Sequence, residues 1–292
     1  MALLAGPGGH QGKDDFPWWL VALAVLGIVV SIAIAANGLY AQIFSLLLNG
    51  VGVTIFVTLV AFTLAMLFGL GLALLGLSDF IVLRQVARFY IEIVRGIPIL
   101  VLLSYIAFVG TPAFVAVYNC VVSPLISAGW ASPLVTRDVP FVWRTIIALT
   151  IAYSSFIAEI FRAGIQAVDQ GQIEAAKALG LSRFQRFRLV VFPQAIRVIL
   201  PPLSNDFIAM VKDSSLVSVL GVADISQLAK LYYSANFRYF ETLSILAFIY
   251  LLLTIGLSLL LRQLESWMRR RTGADRSAFR PLSVGQPPDV QV

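Results

Sequence analysis

LNGVGVTIFVTLVAFTLAMLFGLGLALLGL, residues 48–77, contains no charged side chain. An α-helix needs roughly 20 apolar residues to cross the hydrocarbon core of a bilayer, where only its own backbone can satisfy its N–H and C=O groups. The stretch is long enough, and it carries a small residue at every fourth position: Ala61, Ala65, Gly69 and Ala73. On a helix these form one stripe, which lets a second helix approach where leucines would hold it off. Glycine and alanine are also common in membrane helices in general. Either way, the reading is an all-α integral membrane protein, with this span packed in a bundle.

The rest of the chain agrees. Of 292 residues, 59% are hydrophobic and 12% charged, about half the charged share of a soluble domain. Apolar runs predict six spans, near 18–37, 48–77, 85–110, 144–167, 190–212 and 242–262, and none shows the alternation of a β-barrel strand. The first run ends in SIAIAAN, where Ala33 and Ala35 resemble a leader-peptide cleavage pattern. It exceeds the roughly 7–15 apolar residues of such a leader, and Lys13 is offset by Asp14 and Asp15, so it reads as a retained helix. Segment 111–143, with Pro112, Pro124, Pro133 and Pro140, reads as a long outside connection holding a short interfacial or re-entrant helix. The tail after Arg271 reads as a disordered end.

The net charge of +6 is topological and calls for no nucleic acid. With the N-terminus in the cytoplasm, one side collects Arg84, Arg88, Lys177, Arg183, Arg186, Arg188, Arg262 and the basic residues from Arg269 onward, against Arg137, Lys230 and Arg238 opposite. The positive-inside rule then places both termini in the cytoplasm. One cysteine, Cys120, and one histidine, His10, leave no internal disulfide, no Cys/His metal site and no histidine-based catalysis. The chain also lacks H-E-x-x-H, G-x-S-x-G and the phosphate loop G-x4-G-K-[ST], which argues against an enzyme and against a nucleotide site of its own. No inverted repeat of the kind that marks many ion-coupled secondary transporters is evident.

GQIEAAKALGLSRFQRFRLVVFPQ, residues 171–194, lies between the fourth and fifth spans. Gln172 to Leu179 is a good helix former, Gly180 suits the position just after its end, and Ser182 suits the cap of a second short helix. A helix of about two turns needs a tertiary partner. Glu174 and the alanines would fit a groove of a soluble protein at the membrane surface; a solvated connecting helix satisfies the same residues.

Ionisable groups inside spans are costly and usually functional. The candidates are Glu92 and Arg95, Glu159 and Arg162, Asp206, and Lys212 and Asp213 at the end of the fifth span. Glu92 with Arg95 and Glu159 with Arg162 also stand three residues apart, where they can simply neutralise each other. Arg95 and Glu159 are the favoured path contacts, with Asp206, Lys212, Asp213, Ser214 and Ser215; Glu92 and Arg162 read as structural. Pro201 and Pro202 are expected to kink the fifth span and open backbone polar groups to a cavity.

EAAKALG, Glu174 to Gly180, with Pro193 and Pro201 beyond it, resembles the EAA loop of ATP-binding-cassette (ABC) importer permeases. YIEIVRGIPIL (90–100), AEIFRAGI (158–165), GQIEAAKALGLS (171–182), FPQAIRVILPPLSNDFI (192–208) and KDSSLVSVLGVADI (212–225) resemble, in order and spacing, the permeases of histidine/glutamine/arginine-type polar amino-acid importers. The resemblance covers about residues 48–262. It departs where Ile97, Ala163 and Ser214 replace the family's usual threonine, glycine and threonine, and in an added first span and a long 111–143 connection.

The resemblance implies a type I importer permease with a five-helix core plus an extra N-terminal helix. In that organisation 1–17 is a cytoplasmic tail, 18–40 the extra helix, 41–265 the permease domain with a cytoplasmic coupling loop at 168–189, and 266–292 a cytoplasmic tail. It implies an inner-membrane location, a second permease subunit, identical or homologous, and an extracytoplasmic amino-acid-binding protein. It also implies a cytoplasmic ATPase dimer that holds the ATP and Mg, with no cofactor on this chain. Gly171, Glu174, Ala175, Ala176 and Gly180 become the ATPase-coupling residues. An importer of the same architecture for another small solute is the alternative, with an ion-coupled transporter behind it.

Overall fold

The computed structural model describes residues 18–271; the tail assigned to 1–17 and the part of the 266–292 tail beyond Arg271 lie outside the described residues, while 266–271 continue the last helix. Every regular element among them is helical: α1 Trp18–Ala36, α2 Gly38–Gly76, α3 Ile81–Gly96, α4 Ile99–Tyr105, α5 Thr111–Ser127, α6 Phe141–Gln166, α7 Gln170–Ala178, α8 Arg183–Arg186, α9 Phe192–Asp213, α10 Ile225–Asn236 and α11 Tyr239–Arg271. Five stretches are long and apolar enough to cross a membrane: Gly38–Gly76, Ile99–Ser127, Phe141–Gln166, Arg183–Leu220 and Tyr239–Trp267. The extra N-terminal element is α1, whose apolar run Val21–Ala36 is shorter. Extended Asn37 separates it from α2 and caps α2 by accepting from the Leu39 N–H at 3.0 Å.

The stripe on α2 is the bundle's closest seam. Ala61, Ala65 and Ala73 are buried, and Gly69 lies so near α6 that a Cβ there would stand 2.9 Å from the Ser154 carbonyl oxygen and 3.1 Å from the Ala158 nitrogen. Two helices thus meet backbone to backbone, as small residues at a membrane interface permit. The α6 face answering the stripe, Leu149, Ala152, Ser154, Ile157 and Ala158, is likewise buried. The same core takes in Ala195, Ile199 and Met210 of α9.

The third span differs from its expected place at 85–110. Pro98 cannot continue a helix and forces Ile97 into an extended conformation (φ −99°, ψ 131°), so α3 stops at Gly96. The chain restarts at α4 and passes through a π-helical turn at Ile106–Gly110 into α5, making one apolar stretch from Ile99 to Ser127. The first half of the supposed 111–143 connection therefore belongs to a helical stretch long and apolar enough to cross a membrane. Pro112 stands just after the π-helical turn, where the hydrogen-bond register of the helix changes. Asn119 is satisfied by the returning chain: its Nδ2 donates to the Leu134 carbonyl (2.7 Å) and its Oδ1 accepts from the Leu134 N–H (2.9 Å).

Arg144 fastens this return to the bundle. Its side chain donates to the carbonyls of Val139 (2.8 Å), Ala107 (3.4 Å) and Thr136, and its guanidinium sits 4.4 Å from the Phe141 ring centroid. The fifth span also departs from expectation, since α9 runs through Pro201 and Pro202 without interruption. A π-helical turn at Phe187–Val191 joins α8 to α9.

Substitution of Gly69 by valine should lower stability by about 1–3 kcal/mol through overpacking of the seam, read as a lower thermal unfolding midpoint in nanodiscs. Gly71→Val, on the same helix with nothing within 4 Å of its Cβ position, should stay within about 0.5 kcal/mol. Equal loss from both would show that the close approach at Gly69 is not what matters.

Candidate coupling segment and charged cavity

α7 stands between α6 and α9 as a short helix closed at both ends. Asp169 caps its start, accepting from the Gln172 N–H at 3.2 Å, a cap that the sequence reading passed over. At its end the Gly180 N–H donates to the Lys177 carbonyl (2.9 Å) and the Leu181 N–H to the Ala176 carbonyl (3.2 Å). That is a Schellman closure, which requires a left-handed residue at Gly180; its φ is +75°. Ser182 caps α8 as expected, in a reciprocal pair with Gln185 (3.3 and 2.9 Å).

The two faces of α7 differ. Ala176 is buried and Ile173 packs on the main core, so the inward face holds the helix to its own bundle. The Gln194 side chain on α9 donates to Gln172 at 2.6 Å and strengthens that attachment. Gly171, Glu174, Ala175 and Gly180 are exposed. Beside them Leu179 is 80% and Phe184 69% exposed, apolar side chains presented at the tip.

At the same end of the bundle, α2, α3 and α6 enclose a polar cavity of 330 Å³. Arg88, Glu92 and Arg95 of α3 face Glu159, Arg162 and Gln166 of α6 across it, and Ala73 and Gly76 of α2 form the floor. Glu159 and Arg162 pair on α6, with the Arg162 Nε 3.2 Å from both carboxylate oxygens; Arg162 also donates to Gln166 at 2.9 Å. Glu92 and Arg95 do not pair, among the described ion pairs. Arg95 lies instead over the ring of Phe156, 5.5 Å from its centroid, in cation–π contact. The structure therefore brings Arg95 and Glu159 together, and it places Glu92 and Arg162, read as structural, on the same cavity.

The remaining candidates lie on α9 and beyond its end. Asp213 accepts from the Tyr153 hydroxyl on α6 at 2.7 Å. Ser214 is fully buried and donates to the Val211 carbonyl at 2.7 Å, Ser215 is half-buried and Lys212 is exposed. Asp206 is half-buried, with Oδ2 shielded from solvent and unbonded. None of these lines the charged cavity. The link is aromatic: Tyr153, which holds Asp213, packs on Phe156 with ring centroids 6.2 Å apart, and Phe156 carries Arg95. Sequence reading missed Tyr153 and Phe156, whose only signal was their three-residue spacing with Glu159 along α6.

Residues 65–270 match the family model described as the binding-protein-dependent transport system inner membrane component. The chain is 35% identical over 217 residues to a probable amino-acid permease of Bacillus subtilis (strain 168), covering 74% of this chain and 88% of the relative. It is 32% identical over 227 residues to the glutamine transport system permease of Escherichia coli (strain K12), covering 77% and 93%. Among solved structures, an amino acid ABC transporter with histidines matches with a TM-score of 0.64 at 39% identity, covering 79% of this chain and 96% of that one. An inward-facing methionine ABC transporter matches at 0.54 and 20% identity, covering 78% and 96%, which supports the fold alone. The chain belongs to the family of inner-membrane components of binding-protein-dependent transport systems.

Proposed function

We infer that the chain is the transmembrane permease subunit of an ABC importer that carries polar amino acids into the cytoplasm. The observation that carries this reading is α7: a capped helix, tied to α6 and α9 on one face, with Glu174, Ala175 and the apolar tip standing clear of the bundle on the other. Such an arrangement fits a handle that a soluble partner grips. Relatives named for amino-acid, glutamine, octopine and nopaline transport support the solute class.

In this reading two copies of the permease, or this chain and a homologue, pair in the membrane. A dimer of cytoplasmic ATPase subunits binds ATP and Mg and seats α7 in a cleft, and an extracytoplasmic binding protein delivers the solute. The α7 end and both termini face the cytoplasm, because the loop arginines collect there. Closure of the ATPases moves α7, and the direct connection through α6 and the Gln172–Gln194 bond to α9 carry the movement to the helices that hold the polar groups.

A zwitterion requires a cation and an anion along its path. Arg95, with no carboxylate partner among the described ion pairs, supplies a guanidinium for the α-carboxylate. Glu159 and, further along, Asp206 and Asp213 supply anions for ammonium or guanidinium groups. Lys212, Ser214 and Ser215 line the far end of the same route.

Two experiments test the reading. Glu174→Lys, and Gly180→Leu, which forces a branched side chain into a left-handed position, should each cut uptake by at least about tenfold, equivalent to about 1.4 kcal/mol of coupling. The chain should still insert, and substrate-stimulated ATPase activity should fall in parallel; normal stimulation in both variants would remove α7 from the coupling route. Arg95→Ala and Glu159→Ala should each raise the KM for uptake about tenfold with insertion unchanged. Wild-type kinetics in both would empty the charged cavity of its role in the path.

A further inference from the structure

Asp224 is fully buried at the end of the bundle opposite α7, where a 3₁₀ turn at Ser214–Leu220 leads into α10. Its Oδ1 caps α10 by accepting from the Gln227 N–H at 2.8 Å, whereas its Oδ2 is shielded from solvent and makes no hydrogen bond. α2 closes one side. A Cβ on Gly50 would stand 2.5 Å from the Ile225 nitrogen, and the Ile225 N–H reaches the Thr54 hydroxyl at 3.4 Å. α11 closes the other side with Tyr250, which shares a hydrogen bond of 2.9 Å with Ser226 and turns its hydroxyl toward Asp224 and Ser214.

Capping alone does not call for an acid, because asparagine caps as well. An ionised carboxylate without a countercharge is costly in such a site. The groups that meet Asp224 are the hydroxyl of Tyr250 and backbone N–H groups at the start of α10; among the described residues no charged side chain faces it from α2, α10, α11 or the Ser214–Leu220 turn. A proton on Oδ2 removes the cost. Burial pushes the carboxyl up from 3.8 to about 6, against a smaller opposing pull from the N–H groups and Tyr250.

We propose that Asp224 is a positioning residue worked by its proton: neutral Asp224 keeps α10 and the Ser214–Leu220 turn seated between α2 and α11, and thereby fixes Asp213 and Ser214 at the end of the substrate path. The consequence for transport rests on the importer reading, whereas the seating does not. In sign, the seated form holds the proton more tightly than a free carboxyl, so seating strengthens as pH falls through the window from about 6 to about 4 and weakens as pH rises through it. The span of two pH units corresponds to about 100-fold in the seating equilibrium.

Hydrogen exchange of the α10 amides in the full chain, held in nanodiscs and compared at each pH with Asp224→Asn, isolates this group, because asparagine retains the cap and does not titrate. The ratio of wild-type to variant protection should increase by up to about 100-fold from pH 7 to pH 4; a ratio that stays flat overturns the proposal. In cells, uptake by the wild type should follow the outside pH across the same window and uptake by Asp224→Asn should not. Identical uptake profiles would refute the link to the path. Absence of amino-acid uptake at every pH, with the exchange result intact, would count against the importer reading and leave the seating of α10 standing.

Discussion

The seam between α2 and α6 is the contact on which the other placements depend. Lipid tails are as apolar as leucine, so burying apolar surface gives two membrane helices little reason to associate. Close packing and hydrogen bonding must supply it. Gly69, set against the backbone at Ser154 and Ala158, brings the two axes together. α3 then hangs on α6 through Tyr90, whose hydroxyl meets the Ile151 carbonyl at 3.0 Å and the Ser154 hydroxyl at 2.9 Å. That attachment turns Arg88, Glu92 and Arg95 toward Glu159 and Arg162. On another side of α6, Tyr153 reaches across to Asp213 of α9. Both groups of candidate path residues are thus referred to one helix, and that helix is placed by a stripe of small residues.

What was legible in the sequence was what local chemistry decides. The stripe, the left-handed Gly180 and the Ser182 cap each depend on residues within a few positions, and each stands where the spacing put it. The third span was misplaced because hydropathy sees a continuous run through Gly96-Ile97-Pro98, while the helix itself stops at the proline. The second half of the span is hidden by its prolines, since Pro112 and Pro124 read as loop residues although α5 contains both. Pairings across helices were less legible still. Glu92 and Arg95, three apart on one helix, invite a pair that tertiary structure does not make, because the Phe156 ring from α6 takes the guanidinium.

Local spacing also left open which face of α7 does what. Ala176 had been grouped with the residues that meet a partner, and its side chain is buried against the chain's own body. That burial anchors α7 to the bundle. A helix gripped only from outside would slide or melt when pushed, since about two and a half turns have little stability of their own. A helix anchored inward by Ile173 and Ala176, and bonded to Gln194, is tied to the core and to α9. The small side chain serves that anchoring directly, because it lets the α7 backbone lie close to the bundle. The Schellman closure completes the unit: with the carbonyls of Ala176 and Lys177 bonded, the last turn has little freedom to unwind under load. Gly180 is needed there for its backbone, since the space around it is open and only the left-handed φ forbids a larger residue.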